Sequence, residues 1–262
     1  MSEKWCRFEQ AGKVAYGRID GDSVVPLDGE PWGRHAETGA RLALSSVKLL
    51  VPLIPKTFYC VGLNYPEHII AAAKRRGVEP VFPKRPDVAF RSSNALCAHE
   101  DAIIKPKDAG ELFQYEGELV VVIGKGGKNI PKEKALEHVF GWTIGNDVSE
   151  RTWQRGDRTN WRAKNSDTFN PMGPWIVSGA NYRDMATMVR LNGKEVARFQ
   201  TGNMLNDVET YIAEISKYCT LQPGDVIWMG TDGDPVNMKP GDVCEIEITG
   251  IGVLRNPVVA EA

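Results

Sequence analysis

The chain has 262 residues, 42% of them hydrophobic and 25% charged, with a formal net charge of −2. That size allows one large domain with a small appendage, and the near-neutral balance calls for neither a nucleic-acid partner nor a membrane surface. No apolar run approaches the ~18 residues of a membrane span, and the start MSEKWCRFEQ lacks a signal peptide's apolar segment.

The five cysteines (Cys6, Cys60, Cys97, Cys219, Cys244) are scattered and never form CxxC. The expectation is a cytoplasmic protein with reduced thiols and no thiolate metal site.

Residues 1–56 read as a small N-terminal unit of α/β character. KVAYGRIDGDSVVPL predicts strand, turn and strand, with Asp-Gly-Asp at 20–22 making the turn. ARLALSSVKLL follows as a short amphipathic segment with the pattern of a helix, and VPLIPKTF connects it to the main domain, residues 57–262.

From Phe58 the pattern is many short strands with few helices. FYCVGL predicts a buried strand, and PEHIIAAAKRRG a helix with Pro66 in its first turn and Gly77 as its stop. The Lys74–Arg76 cations suit the C-terminal end of that helix.

ELVVVIG and VFGWTIGND are further strands. GKGGKN between them lacks the Lys-Ser/Thr ending of a phosphate loop and reads as a hairpin turn. DVETYIAEISKYC is helical, with Val208, Tyr211, Ile212, Ile215 and Cys219 on one face and Asn206 as its cap. QPGDVIWMGT and KPGDVCEIEI each turn at Pro-Gly-Asp into a strand, as two similar hairpin openings. In the second, Cys244, Ile246 and Ile248 alternate with polar residues, so one face is buried. The class is β-rich α+β.

Chemistry concentrates at strand ends. In QYEGELVVVIG, Glu116 and Glu118 are two residues apart, so in a strand they share a face and repel each other. Asp147 ends the apolar strand before VSERTWQ. Three carboxylates with no clustered His or Cys suit a hard cation, Mg²⁺ or Mn²⁺; solvated acids at a sheet edge would show the same spacing. His68 stands in the first turn of a predicted helix, where the dipole disfavours its protonation and lets it act as a base. A cap histidine facing water fits as well. Lys164 and Gln154 lie in polar loops that could hold an anion. The G-x-S-x-G elbow is absent.

Six stretches together resemble the fumarylacetoacetate hydrolase family from about Phe58 to Val259. They are CVGLNYPEH (60–68), YEGELVVVIGK (115–125), GWTIGNDVSERTWQ (141–154), AKNSDTFNPMGPWIV (163–177), LQPGDVIWMGT and MKPGDVCEIEITGIGVLRN, in order and at fitting spacing. The resemblance implies a mixed β-sandwich or β-roll catalytic domain, a homodimer, and a divalent cation on Glu116, Glu118 and Asp147.

It further implies His68 and Lys164 as catalytic residues, with Tyr65, Arg91, Gln154, Lys164 and Thr231 binding a 2-oxo or β-diketo acid. The implied reaction is cleavage of the carbon–carbon bond of an acylpyruvate through a metal-stabilised enolate. The alternative is isomerisation, tautomerisation or decarboxylation of a 2-oxo or 2-hydroxy-dienoic acid. A non-catalytic small-acid binder is a third reading.

Four departures bear on that choice. Ala71 replaces the glutamate that hydrolytic relatives use beside the histidine; Glu67 points elsewhere on the helix, leaving Glu79 as a candidate substitute. GTDGDPVNM adds Asp232 and Asp234 beside Thr231. Arg91 stands where relatives have lysine, its planar fork suiting a carboxylate. Asn206 and Asp207 replace small or apolar residues, which points to an altered pocket.

Overall fold

The computed structural model describes residues 2–262, except the side chains of Arg75 and Arg76. The run Gly117–Ile123 is buried along its whole length, and its alternation decides where the core sits. Leu119, Val121 and Ile123 enter one apolar cluster, whereas Val120 and Val122 enter a second. A strand covered on both faces reads as a continuous apolar run in sequence.

Twelve strands of the described residues make the main sheet around it. In spatial order these are Leu42–Ala43, Ser23–Leu27, Lys13–Asp20, Glu3–Gln10, Asn170–Ser178, Val139–Asn146, Gly117–Ile123, Val226–Trp228, Phe58–Val61 and Val88–Phe90. Lys48–Leu49 adds to Glu3–Gln10, and Leu96–Cys97 to Asn170–Ser178.

A five-stranded sheet, ordered Lys194–Gln200, Ala186–Leu191, Val243–Ile248, Gly252–Ala260 and Ile103–Lys105, lies over one face. Its Val189, Ile246 and Leu254 share a cluster with Leu119 and Val121. Gly117 is where the layers touch: a Cβ there would stand 3.1 Å from both Val189 and Ile246. Helix Val208–Tyr218 adds Val208, Tyr211, Ile212 and Ile215 to the same core. The strand-rich α+β sandwich expected from sequence is the fold.

The N-terminal strands continue the main sheet. Glu3, Lys4 and Trp5 pair with Ser178, Val177 and Ile176, and Trp5, Leu27 and Leu53 pack with Phe58, Val120 and Trp228. The expected hairpin is present, with Asp20 paired to Ser23 around Gly21 at φ +56°.

The expected helix over ARLALSSVKLL is absent. Its place is taken by the two-residue strands Leu42–Ala43 and Lys48–Leu49 around a 3₁₀ turn, Leu44–Ser46. A helix this short gains little on its own. Pairing Leu49 with Phe8, and packing Leu42, Leu44 and Leu49 on Cys6, Phe8 and Val24, overrides the local pattern.

Helix Pro66–Arg76 begins at Pro66 and ends at Gly77 (φ +65°), as expected. The suggested role of Arg75 and Arg76 at its end lies outside the described residues. The cap of Val208–Tyr218 is Asp207, one residue after the expected Asn206, with its carboxylate accepting from the Thr210 N–H at 2.9 Å. The Asn206 N–H donates instead to Asn64 Oδ1.

GKGGKN opens a longer connection through the 3₁₀ segment Lys132–His138 between two paired strands. Both Pro-Gly-Asp turns place glycine at positive φ (Gly224 +89°, Gly241 +97°), the conformation this turn demands at that position. Asp225 and Asp242 brace them by accepting from the N–H of Gln222 and Lys239 at 2.8 Å. Only the second opens a hairpin. Val226–Trp228 runs parallel to Phe58–Val61, in the sheet interior.

Candidate metal centre and active site

Strand register builds the acidic cluster. Gly117 pairs with Asn146 and Glu118 with Gly145, so Asp147 falls opposite Glu116 and donates its N–H to the Glu116 carbonyl at 2.9 Å. Asn146 Oδ1 accepts from the Glu116 N–H at 3.0 Å, which fixes the bend between the two acids. One carboxylate oxygen from each of Glu116, Glu118 and Asp147 lies within 4.8 Å of the others, and all three side chains are buried.

Three buried carboxylates need cations nearby, and three distant segments bring them. Arg91, just after Val88–Phe90, forks onto Asp147: Nε to Oδ1 at 2.9 Å and Nη2 to Oδ2 at 2.7 Å. Arg151 opens a four-residue helix capped by Glu150, whose carboxylate accepts from the Trp153 N–H at 2.6 Å. Its Nη2 reaches Glu116 Oε1 at 2.6 Å, while Nε and Nη1 hold Gln114 and Gln154 at 2.9 and 3.0 Å. Lys164, on Trp161–Asn165, places Nζ between Glu116 Oε2 and Asp147 Oδ2, the latter at 2.6 Å. Asn170 Nδ2 adds a bond to Asp147 Oδ1 at 3.0 Å.

These cations are shared unequally. Burial alone would raise Glu116, but Arg151 and Lys164 outweigh it and leave its carboxyl below the usual range. Burial opposes ionisation of Asp147 too, and Arg91 with Lys164 overcomes it by more. Glu118 is different: burial, then the charges of Asp147 and Glu116, push it well above the usual range. Its recorded hydrogen bond comes from the Gly230 N–H at 2.8 Å. An all-oxygen donor set with one acid short of positive charge fits a hard divalent cation held by Glu116, Glu118 and Asp147.

His68, the third residue of its helix, sits with Nδ1 2.9 Å from the Gly233 carbonyl. A carbonyl can only accept, so Nδ1 donates to it, and in the neutral ring Nε2 is then the nitrogen with the free lone pair. Ala71 stands one turn further on, and Glu79 is exposed beyond Gly77. The ring is therefore oriented by a neutral backbone oxygen. Thr231 is buried directly after Gly230.

Other expected substrate contacts stand differently. Tyr65 is fully buried with its hydroxyl committed to the Thr201 carbonyl at 2.7 Å. The Arg91 fork, expected to face a substrate carboxylate, closes on Asp147. Gln154 is half-buried with its carbonyl oxygen on Arg151. Asp207 is a helix cap that also meets Lys132 at 3.0 Å, so that departure has a structural reason. Asp234 is exposed.

Sequence reading missed Arg151 and Asn170. Arg151 lies inside the SERTWQ stretch, and its place one turn before Gln154 was the available signal; nothing local marks Asn170.

Residues 57–259 match the model of the fumarylacetoacetate (FAA) hydrolase C-terminal domain. The chain belongs to the fumarylacetoacetate hydrolase family. Residues 3–52 match a second model, the Rv2993c-like N-terminal domain. The chain is 36% identical to protein Rv2993c of Mycobacterium tuberculosis, over 97% of each chain. It is 37% identical to an oxaloacetate tautomerase, fahd2, of Xenopus laevis, over 83% of this chain and 70% of that one. The crystal structure of a 5-carboxymethyl-2-hydroxymuconate delta-isomerase from Mycobacterium smegmatis superposes with a TM-score of 0.89 at 35% identity, covering 98% of this chain and 100% of that one. Family members of this kind are enzymes, hydrolases and isomerases among them, and this chain is read as an enzyme on the same ground.

Proposed function

We propose that this family member is a divalent-cation-dependent isomerase or tautomerase of a 2-oxo acid, moving a proton at the carbon next to the keto group. The observation that carries this reading is the pairing of Ala71 with the His68–Gly233 contact. The carbonyl fixes the tautomer and leaves Nε2 as base, which suffices for carrying a proton from one substrate atom to another. Hydrolysis also needs a water held and activated beside the histidine, and a methyl group at position 71 offers no carboxylate to position one. The names of the tautomerase and delta-isomerase relatives point the same way.

A cation held by Glu116, Glu118 and Asp147 would supply Lewis-acid polarisation of the keto acid when bound. His68 Nε2 takes the proton from the acidic carbon and returns it at the tautomeric position. Lys164, whose ammonium lies between Glu116 and Asp147, would supply positive charge for the negative charge that develops on the keto oxygen. Arg151 holds Gln154 and Glu116 in one plane of bonds, so the amide and the carboxylate keep a fixed separation. Glu116, Glu118, Asp147 and Lys164 are buried, and the lower polarity around them strengthens each contact.

The test is proton NMR of acetylpyruvate with the protein and Mg²⁺ in deuterated buffer, with a chelator control. Accelerated, chelator-sensitive loss of the methylene signal without new products supports proton transfer. Appearance of acetate and pyruvate would instead make the protein a hydrolase. Oxaloacetate, followed by its enol absorbance, extends the test to a diacid.

A further inference from the structure

The Asp147 carboxylate carries four donors: Arg91 Nε and Asn170 Nδ2 on Oδ1, and Arg91 Nη2 and Lys164 Nζ on Oδ2. That is the full capacity of a carboxylate, about four lone-pair sites. Glu116 carries Arg151 on Oε1 and Lys164 on Oε2. A divalent ion that takes Glu116, Glu118 and Asp147 together therefore needs an oxygen that already has a donor, and one donor has to leave.

The four candidates differ in their ability to leave. The Arg91 guanidinium is a rigid fork with two bonds to a single carboxylate, and its side chain is 5% exposed. Arg151 is tied at three points, to Gln114, Gln154 and Glu116. Asn170 is fully buried at the start of a sheet strand and also bonds the Phe169 carbonyl.

Lys164 is a point charge on a flexible four-carbon stem. Its contacts in the cluster are single bonds to Glu116 Oε2 and Asp147 Oδ2. Those two oxygens belong to two of the three acids that converge within 4.8 Å.

We propose that Lys164 and the divalent ion are exchange partners at Glu116 Oε2 and Asp147 Oδ2, so that the ion's arrival frees the ammonium for the substrate. This rests on the reading of the acidic cluster as a cation cage. In it, Lys164 serves two roles in sequence. It is the counter-charge that lets two buried carboxylates coexist, and after exchange it is the cation that the substrate meets. The ion thereby switches on the residue that completes the site. Arg91 and Arg151 stay in place throughout and keep the two ligands oriented.

Titration calorimetry of Mn²⁺ into the chelator-stripped protein and its Lys164→Met variant tests the exchange. Removing a cation that competes at contact distance should tighten Mn²⁺ binding by roughly tenfold or more, while Lys164→Arg, which keeps the charge, should not tighten it. A purely structural lysine would leave affinity unchanged or weakened on replacement by methionine, and that result overturns the proposal. Should the methionine variant not fold, the wild-type protein gives the second measurement: acetic anhydride labelling of Lys164, read by mass spectrometry with and without Mn²⁺. Exchange requires labelling to rise severalfold on adding the ion; unchanged or slower labelling overturns it. Both readouts are independent of turnover, so a protein that exchanges Lys164 yet leaves acetylpyruvate untouched refutes the proposed reaction and not the exchange. Absence of Mn²⁺ binding by the wild-type protein refutes both.

Discussion

Arg91 and Asp147 form a bidentate pair inside the protein, with side chains only 5% and 3% exposed. Lysine cannot reproduce that fork, because its ammonium is a single point of charge. Removing one member of a buried pair leaves the other charged and poorly solvated, at a cost of about 3–5 kcal/mol. Arg91→Met should lower the urea midpoint of unfolding by an amount equivalent to that range. A shift worth under 1 kcal/mol would mean that Lys164 and Asn170 alone satisfy Asp147.

Glu116 is expected to be a cation ligand. Glu116→Gln keeps its shape but removes the charge, and it should weaken Mg²⁺ and Mn²⁺ binding by roughly ten- to a hundredfold with a matching loss of turnover. Calorimetry on the variant checks this; unchanged affinity would sink the assignment.

His68 separates chemistry from binding. Its ring contacts the Gly233 carbonyl and no carboxylate of the cage is hydrogen-bonded to it among the described residues. His68→Ala should slow proton exchange by about 10²–10⁴-fold while the Mn²⁺ dissociation constant stays within experimental error. Loss of both together would place the histidine in the cage.

Asp207 caps a helix that feeds four apolar side chains into the main core. Burial would raise its carboxyl, but the bonds from Thr210 and Lys132 outweigh it and hold it below the usual range. A lowered folded value means stability that is present above the unfolded value and lost as pH falls through the folded one. Asp207→Ala should cost about 1 kcal/mol at pH 7, and the difference from wild type should shrink as the pH is taken below ~4. Parallel urea melts at pH 7 and pH 3 measure it; an equal difference at both would mean that the charge contributes nothing.

Burial pushes the thiols of Cys6, Cys60, Cys97 and Cys244 up to about 12. At pH 8 about one in ten thousand of each is the reactive thiolate. Cys219 is the half-exposed cysteine of the five. Brief iodoacetamide treatment of the native protein should therefore label Cys219 alone, as read by peptide mass spectrometry. Labelling of a second thiol at a similar rate would reveal local opening of the core.

What the sequence by itself determined were features set by a few adjacent residues. The apolar run 119–123, the Pro66 start and Gly77 stop of a helix, the two Pro-Gly-Asp turns and the shared face of Glu116 and Glu118 all follow from local sterics and periodicity. The order of the motifs carried the family as well.

Only the tertiary structure decided which groups meet those acids. Arg91, Arg151, Lys164 and Asn170 come from four separate segments, and their convergence depends on sheet register and packing that no local pattern encodes. The same holds for the failed helix at residues 40–50, where pairing with Glu3–Gln10 outweighed a weak helical preference. It holds for Val226–Trp228, whose parallel neighbour lies far away in sequence. Local propensities are worth tenths of a kcal/mol per residue, whereas burying charge without a partner costs several; the long-range contacts therefore settled the site.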